Sequence, residues 1–182
     1  MSASVSARSA LRAATSDHHE RVDAAFSSAN LADRDHYGCF LMAQAAAHLP
    51  VEEALAKGGI AGILPDWAAR ERGALLRADL AALGRTSPES DATLAFDDPA
   101  AMLGAVYVLE GSRLGGALLK RSVPADFPTA FLGASDSAAW RRLMAVLDER
   151  LDTDAARLIA INAAAQVFTL FERKARQFLK VT

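Results

Sequence analysis

His19 and Asp23 stand one helical turn apart, and Arg12 precedes the histidine by about two turns. Stepping 100° per residue from Leu11 puts Ala14, His18, Val22 and Ala25 near the centre of an apolar stripe, with His19 about 80° round and Arg12 and Asp23 within roughly 40° of it. The last three side chains therefore share one rim of a helix. An imidazole that binds a metal through one nitrogen gains from an acceptor on the other, which sets its tautomer and ring orientation, and Asp23 is spaced to be that acceptor. Arg12 offers a guanidinium to an anionic part of the same ligand. His18, in the apolar seam, has only Val22 at that distance. The alternative is a solvated histidine in an ordinary i, i+4 pair, and spacing alone does not separate the two. No second cluster of His, Cys and carboxylates repeats the pattern, which disfavours a closed four-ligand protein site; a single histidine suits a metal already held by another group, such as a porphyrin.

The second unusual segment runs from Met102 to Lys120, apolar and helical in period yet carrying Gly104, Gly111, Gly115 and Gly116. Each interior glycine costs about 0.5–1 kcal/mol relative to alanine, so four need a reason. Glycines permit a kink and let another surface approach the backbone, so such a helix can lie over a flat ligand. Close helix packing through Gly111 and Gly115, four apart on one face, is the reading that spacing favours. A phosphate loop is excluded, because the segment follows no strand and lacks the P-loop order of lysine and hydroxyl.

These segments belong to a chain whose apolar residues recur at helical spacing, without alternating runs of strand type. The expected fold is all-α, with helices over 9–27, 34–56, 65–83, 99–120, 136–150 and 153–179. Asp98-Pro99, Pro65-Asp66 and Thr153-Asp154 supply helix starts, while Lys57–Gly62, Gly84–Pro99 and Pro124–Ser137 supply connections. The 182 residues suit a single domain, 1–182, with residues 1–8 flexible. Apolar types make up 52% and charged types 23%, which argues against disorder. Twenty Lys+Arg against 22 Asp+Glu leave no basic field for nucleic acid or an anionic membrane. Cys39, the one cysteine, has no disulfide partner, reads as a small core residue rather than a metal ligand, and fits a reducing, cytoplasmic setting. The start from Met1 to Ser6 lacks signal-peptide character, and the longest uncharged apolar run, Ala100 to Leu109, is about half of what a bilayer needs.

The two segments, in this order, resemble the proximal and distal helices of haem oxygenases. Leu11-Arg12-Ala13-Ala14-Thr15 followed by His19 is similar to the family's opening motif with its iron-ligating histidine. Tyr107-Val108-Leu109-Glu110-Gly111-Ser112-Arg113-Leu114-Gly115-Gly116 resembles the distal glycine motif, especially in biliverdin-forming members found with bacterial phytochromes. Weaker blocks lie at Arg72 to Gly84, with Leu75, Leu76, Asp79, Leu80 and Ala81, and at Leu170-Phe171-Glu172, so the likeness runs from about Leu11 to Arg176.

What this resemblance implies is a helical bundle with haem between the first helix and a kinked distal helix. His19 would be the axial ligand, Asp23 the acidic partner of its other nitrogen, and Gly111, Gly115 and Gly116 the distal face. Arg12 and Arg141 would bind the propionates, with Phe168 among the haem-contacting residues. Ser112 departs from the pattern: many members carry there an aspartate that orders distal waters, though some bacterial members carry serine. Arg113 is expected on the solvated surface. The implied activity opens haem to biliverdin with release of iron and carbon monoxide, using molecular oxygen and an external electron donor, a reductase or ferredoxin, with a bacterial phytochrome as one acceptor of the bilin. A haem- or bilin-binding carrier or sensor of the same fold, and a purely structural helical module, are the competing readings.

Overall fold

The computed structural model describes residues 6–133 and 136–179. Its helices are α1 (Ala7–Phe26), α2 (Arg34–Gly58), α3 (Trp67–Arg70), α4 (Gly73–Ala82), α5 (Pro99–Leu119), α6 (Ala130–Gly133), α7 (Ser137–Arg150) and α8 (Asp154–Phe178). There is no strand among the described residues. Of the start expected to be flexible, residues 1–5 lie outside the described residues; Ser6 caps α1, and Ala7 is buried with its N–H donated to Asp148.

Most helix ends follow from local chemistry. Asp98 accepts the N–H groups of Ala100 and Ala101, with Pro99 in the first turn of α5; Thr153 accepts the N–H of Ala156. Gly59, at φ 87°, ends α2 in the left-handed conformation that glycine adopts without penalty. Helix α2 carries Pro50, which cannot donate to the carbonyl of Ala46; the Ser90 hydroxyl, reaching over from the 85–98 connection, donates to that oxygen at 3.0 Å.

The expected helix 65–83 is instead two helices. Asp66 does not cap; its carboxylate binds the Arg70 guanidinium at 2.8 and 2.9 Å. The chain breaks at Glu71 and Arg72 because Glu52, on α2, accepts the N–H groups of Arg72 (2.6 Å) and Gly73 (2.9 Å). A carboxylate from another element thus satisfies the first donors of α4, where negative charge is favoured.

Helix α8 is the central element, packed along α1, α2 and α5. Leu11, Val51, Leu55, Leu103, Val106, Leu143 and Phe171 belong to the main core, and Tyr37, Phe40, Leu76, Leu80 and Phe131 form a second cluster where α2, α4 and α6 meet. The α5–α8 approach is set by Gly104, where a Cβ would run into the Ala160 carbonyl. Helix α1 buries Ala7, Leu11 and Thr15 and half-buries Val22 and Phe26, while Ala14 is exposed. Its buried face is therefore turned towards Thr15 and Phe26 relative to the sequence expectation, which leaves His18 half-buried.

One buried polar unit ties α2 to α4. The His48 Nε2–H donates to Glu52 Oε1 at 2.8 Å, and both side chains are buried. Burial pushes the His48 imidazolium down, outweighing the opposing pull of Glu52. Burial pushes the Glu52 carboxyl up, but hydrogen bonds from His48, Arg72 and Gly73 outweigh it and hold it below the usual range. Both groups bind fewer protons folded than unfolded, so their contribution is complete above the ordinary histidine value of 6.5. It is lost as the pH falls towards the depressed folded values, with Glu52 joining below 4.5. Denaturant unfolding should therefore show wild-type stability falling between about pH 7 and pH 5, with a shallower fall in His48→Gln; equal slopes would contradict this.

Candidate active site

Two rows of residues from different helices face the same space. Helix α1 presents Arg12, Thr15, His19 and Asp23, and helix α5 presents Gly111, Ser112, Gly115 and Gly116, along one cavity of about 1080 Å³. Phe168 and Phe171 of α8, Trp140 of α7 and Tyr107 of α5 complete apolar walls. The volume is just above the usual range of small-molecule and cofactor sites.

On the α1 wall, His19 Nδ1 lies 3.0 Å from Asp23 Oδ2. With the Nδ1–H donated to Asp23, Nε2 keeps its lone pair, the arrangement an imidazole needs to ligate a metal. The ring is 62% exposed, as befits a side chain on the wall of an open cavity, and its edge rests on Phe168, with centroids 5.9 Å apart. His18 serves differently: its Nδ1 accepts from Arg21 Nη2 at 2.7 Å and its ring stacks on Phe168. Among the described residues, Arg12 is the one arginine or lysine lining the cavity, whose lining also includes the acidic Glu20 and Asp23 further along α1.

On the α5 wall the four glycines have different surroundings. A Cβ built at Gly111 or Gly115 meets nothing within 4 Å, so neither residue packs against a helix. The packing that spacing favoured belongs to Gly104, while Gly116 sits closer to its neighbour, with a Cβ contact of 3.4 Å to Leu132. Helix α5 runs unbroken through all four glycines, so their effect at the cavity is bare backbone rather than an interrupted helix.

Behind that wall lies a polar layer. Ser112 Oγ donates to the Leu109 carbonyl at 2.7 Å and accepts from Arg72 Nη2 at 2.9 Å, and Arg72 also donates to Leu109 at 2.8 Å. The Arg72 guanidinium is buried and stacks 4.6 Å from the Phe131 ring centre. Burial, aided by nearby Arg113, lowers its pKa to about 10. Arg113 is not at the surface as expected: it is buried beside Glu110 and donates to the Arg70 carbonyl. Arg70 reaches Glu110 at 3.0 Å.

Of the residues singled out in the sequence, the cavity brings together Arg12, His19, Asp23, Gly111, Ser112, Gly115, Gly116 and Phe168. It does not bring Arg141, which is exposed and off the cavity wall; its neighbour Trp140 lines the wall and Arg142 pairs with Asp66 at 3.2 Å. Sequence reasoning assigned no role to Tyr107 and Trp140, whose rings meet at 6.0 Å along this wall, or to Arg72, which holds Ser112. Tyr107 stood inside the quoted glycine motif and Trp140 beside Arg141, and aromatic type was their only signal. Burial raises the Tyr107 pKa, against the opposing fields of Arg8 and Arg12.

The site thus offers one imidazole with a free nitrogen, a helical wall bare of side chains at Gly111 and Gly115, and apolar sides, which suits a flat ligand with a metal at its centre. The chain matches no family profile. Its fold is that of the NO- and CO-bound haem oxygenase of Neisseria meningitidis, with TM-score 0.83, 22% identity, and 98% of this chain and 94% of the other covered. It is 29% identical over 168 residues to haem oxygenase PigA of Pseudomonas aeruginosa, covering 86% of this chain and 85% of that protein. A haem oxygenase of Xanthomonas campestris pv. campestris is 38% identical over 112 residues, 58% of this chain and 67% of the relative. On that identity and coverage, the chain belongs to the haem oxygenase family.

Proposed function

We propose that this protein is a haem oxygenase that opens haem to biliverdin with release of iron and carbon monoxide. The observation that carries the reading is that His19, with its Nδ1 occupied by Asp23, shares a cavity with Gly111 and Gly115, which present no side chain to it. Bound haem supplies both the oxygen-activating iron and the carbon skeleton that is cleaved, so the protein's own residues need only ligate, orient and manage water.

In this reading Asp23 fixes the neutral tautomer of His19, and His19 Nε2 would hold the haem iron. Bare backbone at Gly111 and Gly115 admits the macrocycle, and Phe168 and Phe171 give it apolar contact. Arg12 offers a charge-assisted contact to one propionate, whereas Arg141 is exposed and off the cavity wall. Ser112, whose hydroxyl proton is committed to Leu109 and one of whose lone pairs is filled by Arg72, keeps one acceptor position with which to hold a water near the distal face. Molecular oxygen and electrons from a separate reductase or ferredoxin complete the turnover, and a bacterial phytochrome is one acceptor for the bilin. No described helix is long and apolar enough to cross a membrane, and the cytoplasm, where haem, reductant and a free thiol coexist, is the proposed setting.

The hydroxyl of Ser112 in place of a carboxylate favours one second reading, a haem or bilin carrier without turnover. Haemin added to the purified protein should give a histidine-ligated Soret band that decays to a biliverdin spectrum with reductant and oxygen. A band that survives reduction in air would support the carrier, and no band would support a structural module. His19→Ala should abolish the axial ligation, while His18→Ala should keep it and cost about 1 kcal/mol of stability; the reverse pattern would reassign the ligand.

The glycines make opposite demands on the free and loaded protein. Gly115→Ala should stabilise the ligand-free chain by about 0.5–1 kcal/mol, because its methyl group meets no neighbour and alanine is the better helix former. The same methyl should weaken haemin binding. Melting and haemin titration of this variant check both signs, and tighter binding would refute the assignment of that wall.

A further inference from the structure

Helix α8 meets α1 through Phe168 and, one turn later, Glu172. The rings of His18 and His19 both rest on Phe168, His18 stacked at 6.4 Å and 20° and His19 edge-on at 5.9 Å and 66°. Arg21 adds the second point of attachment. Its Nε donates to Glu172 Oε2 at 3.1 Å and its Nη2 to His18 Nδ1 at 2.7 Å. The other Glu172 oxygen is held by Arg176 at 3.1 and 2.9 Å, so this carboxylate is fixed from both sides.

We infer that Arg21 is a positioning residue for His19: anchored on Glu172 and bonded to His18, it trims the rotation against α8 that the buried face of α1 first sets, and thereby the direction of His19 Nε2. This rests on His19 being the axial ligand of haem. Arg21 does not line the cavity, so it acts through the helix. A side-chain tip about 6 Å from a helix axis moves through roughly 1 Å for each 10° of helix rotation, a displacement large enough to misdirect a ligand atom. Asp23, the neighbour that orients the ring on its own helix, cannot resist such a rotation, because it turns with His19. The tie to α8 can.

An exposed arginine–carboxylate pair contributes little to stability, so loss of Arg21 should leave the ligand-free melting temperature within about 3 °C of wild type. In the haemin-loaded, reduced full chain, Arg21→Ala should shift or broaden the iron–histidine stretching band in resonance Raman spectra and weaken haemin binding about tenfold. Arg21→Lys, which keeps the charge and reach towards Glu172, should recover most of both. Glu172→Gln, which keeps the size but not the charge, should move the band in the same direction and serves as the test if Arg21→Ala does not fold. An unchanged band and affinity in these variants, or changes that follow a fallen melting temperature and are not recovered by lysine, would overturn the role of Arg21. A wild-type protein with no iron–histidine band would instead overturn the haem reading beneath it.

Discussion

An open cavity survives in a small helical protein only where side chains do not collapse into it, and here the stretch of α5 at Gly111 and Gly115 leaves the space unfilled. Both glycines face open space. Filling it with alanine would improve helix propensity, so the sequence forgoes stability at two positions to keep the cavity open. The opposite wall depends on this concession. In the proposed reading His19 would serve as the ligand with its Nδ1 committed to Asp23, in the cavity that Gly111 and Gly115 also line.

Keeping such a wall in place requires something rigid behind it. Arg72 holds the Leu109 carbonyl and the Ser112 hydroxyl from the far side of α5, and is itself placed by Glu52, which caps α4 at Arg72 and Gly73. Arg70, Glu110 and Arg113 form a neighbouring buried group. Buried charges of this kind are costly unless fully partnered, and removing one partner strands the other, so the network favours one arrangement over near alternatives. On the other side of the cavity, Phe168 and Glu172 of α8 receive α1. The site is thereby framed by two helices, each referenced to a neighbour.

What could be read from the sequence was what is local in the chain. The His19–Asp23 pair is an i, i+4 relation, and the caps at Asp98 and Thr153 act within three residues, so both emerge from spacing alone. The glycines announced a cost, but not their purpose: whether Gly111 packs or faces a cavity depends on what lies across from α5. That is why Gly104, against Ala160, proved to be the packing glycine. The break before α4 was hidden because its cause, Glu52, lies 20 residues away in sequence. Arg113 was read as surface because its burial depends on Arg70, 43 residues distant, and Arg141 was assigned to the site although the rotation of α7 turns Trp140 inwards instead.

The most direct test of the central claim is a crystal structure of the haemin complex. It should place the iron within coordination distance of His19 Nε2 and the macrocycle against the backbone of Gly111 and Gly115, with Asp23 still bonded to Nδ1. A macrocycle bound elsewhere, or ligated by His18, His36 or Cys39, would contradict the account.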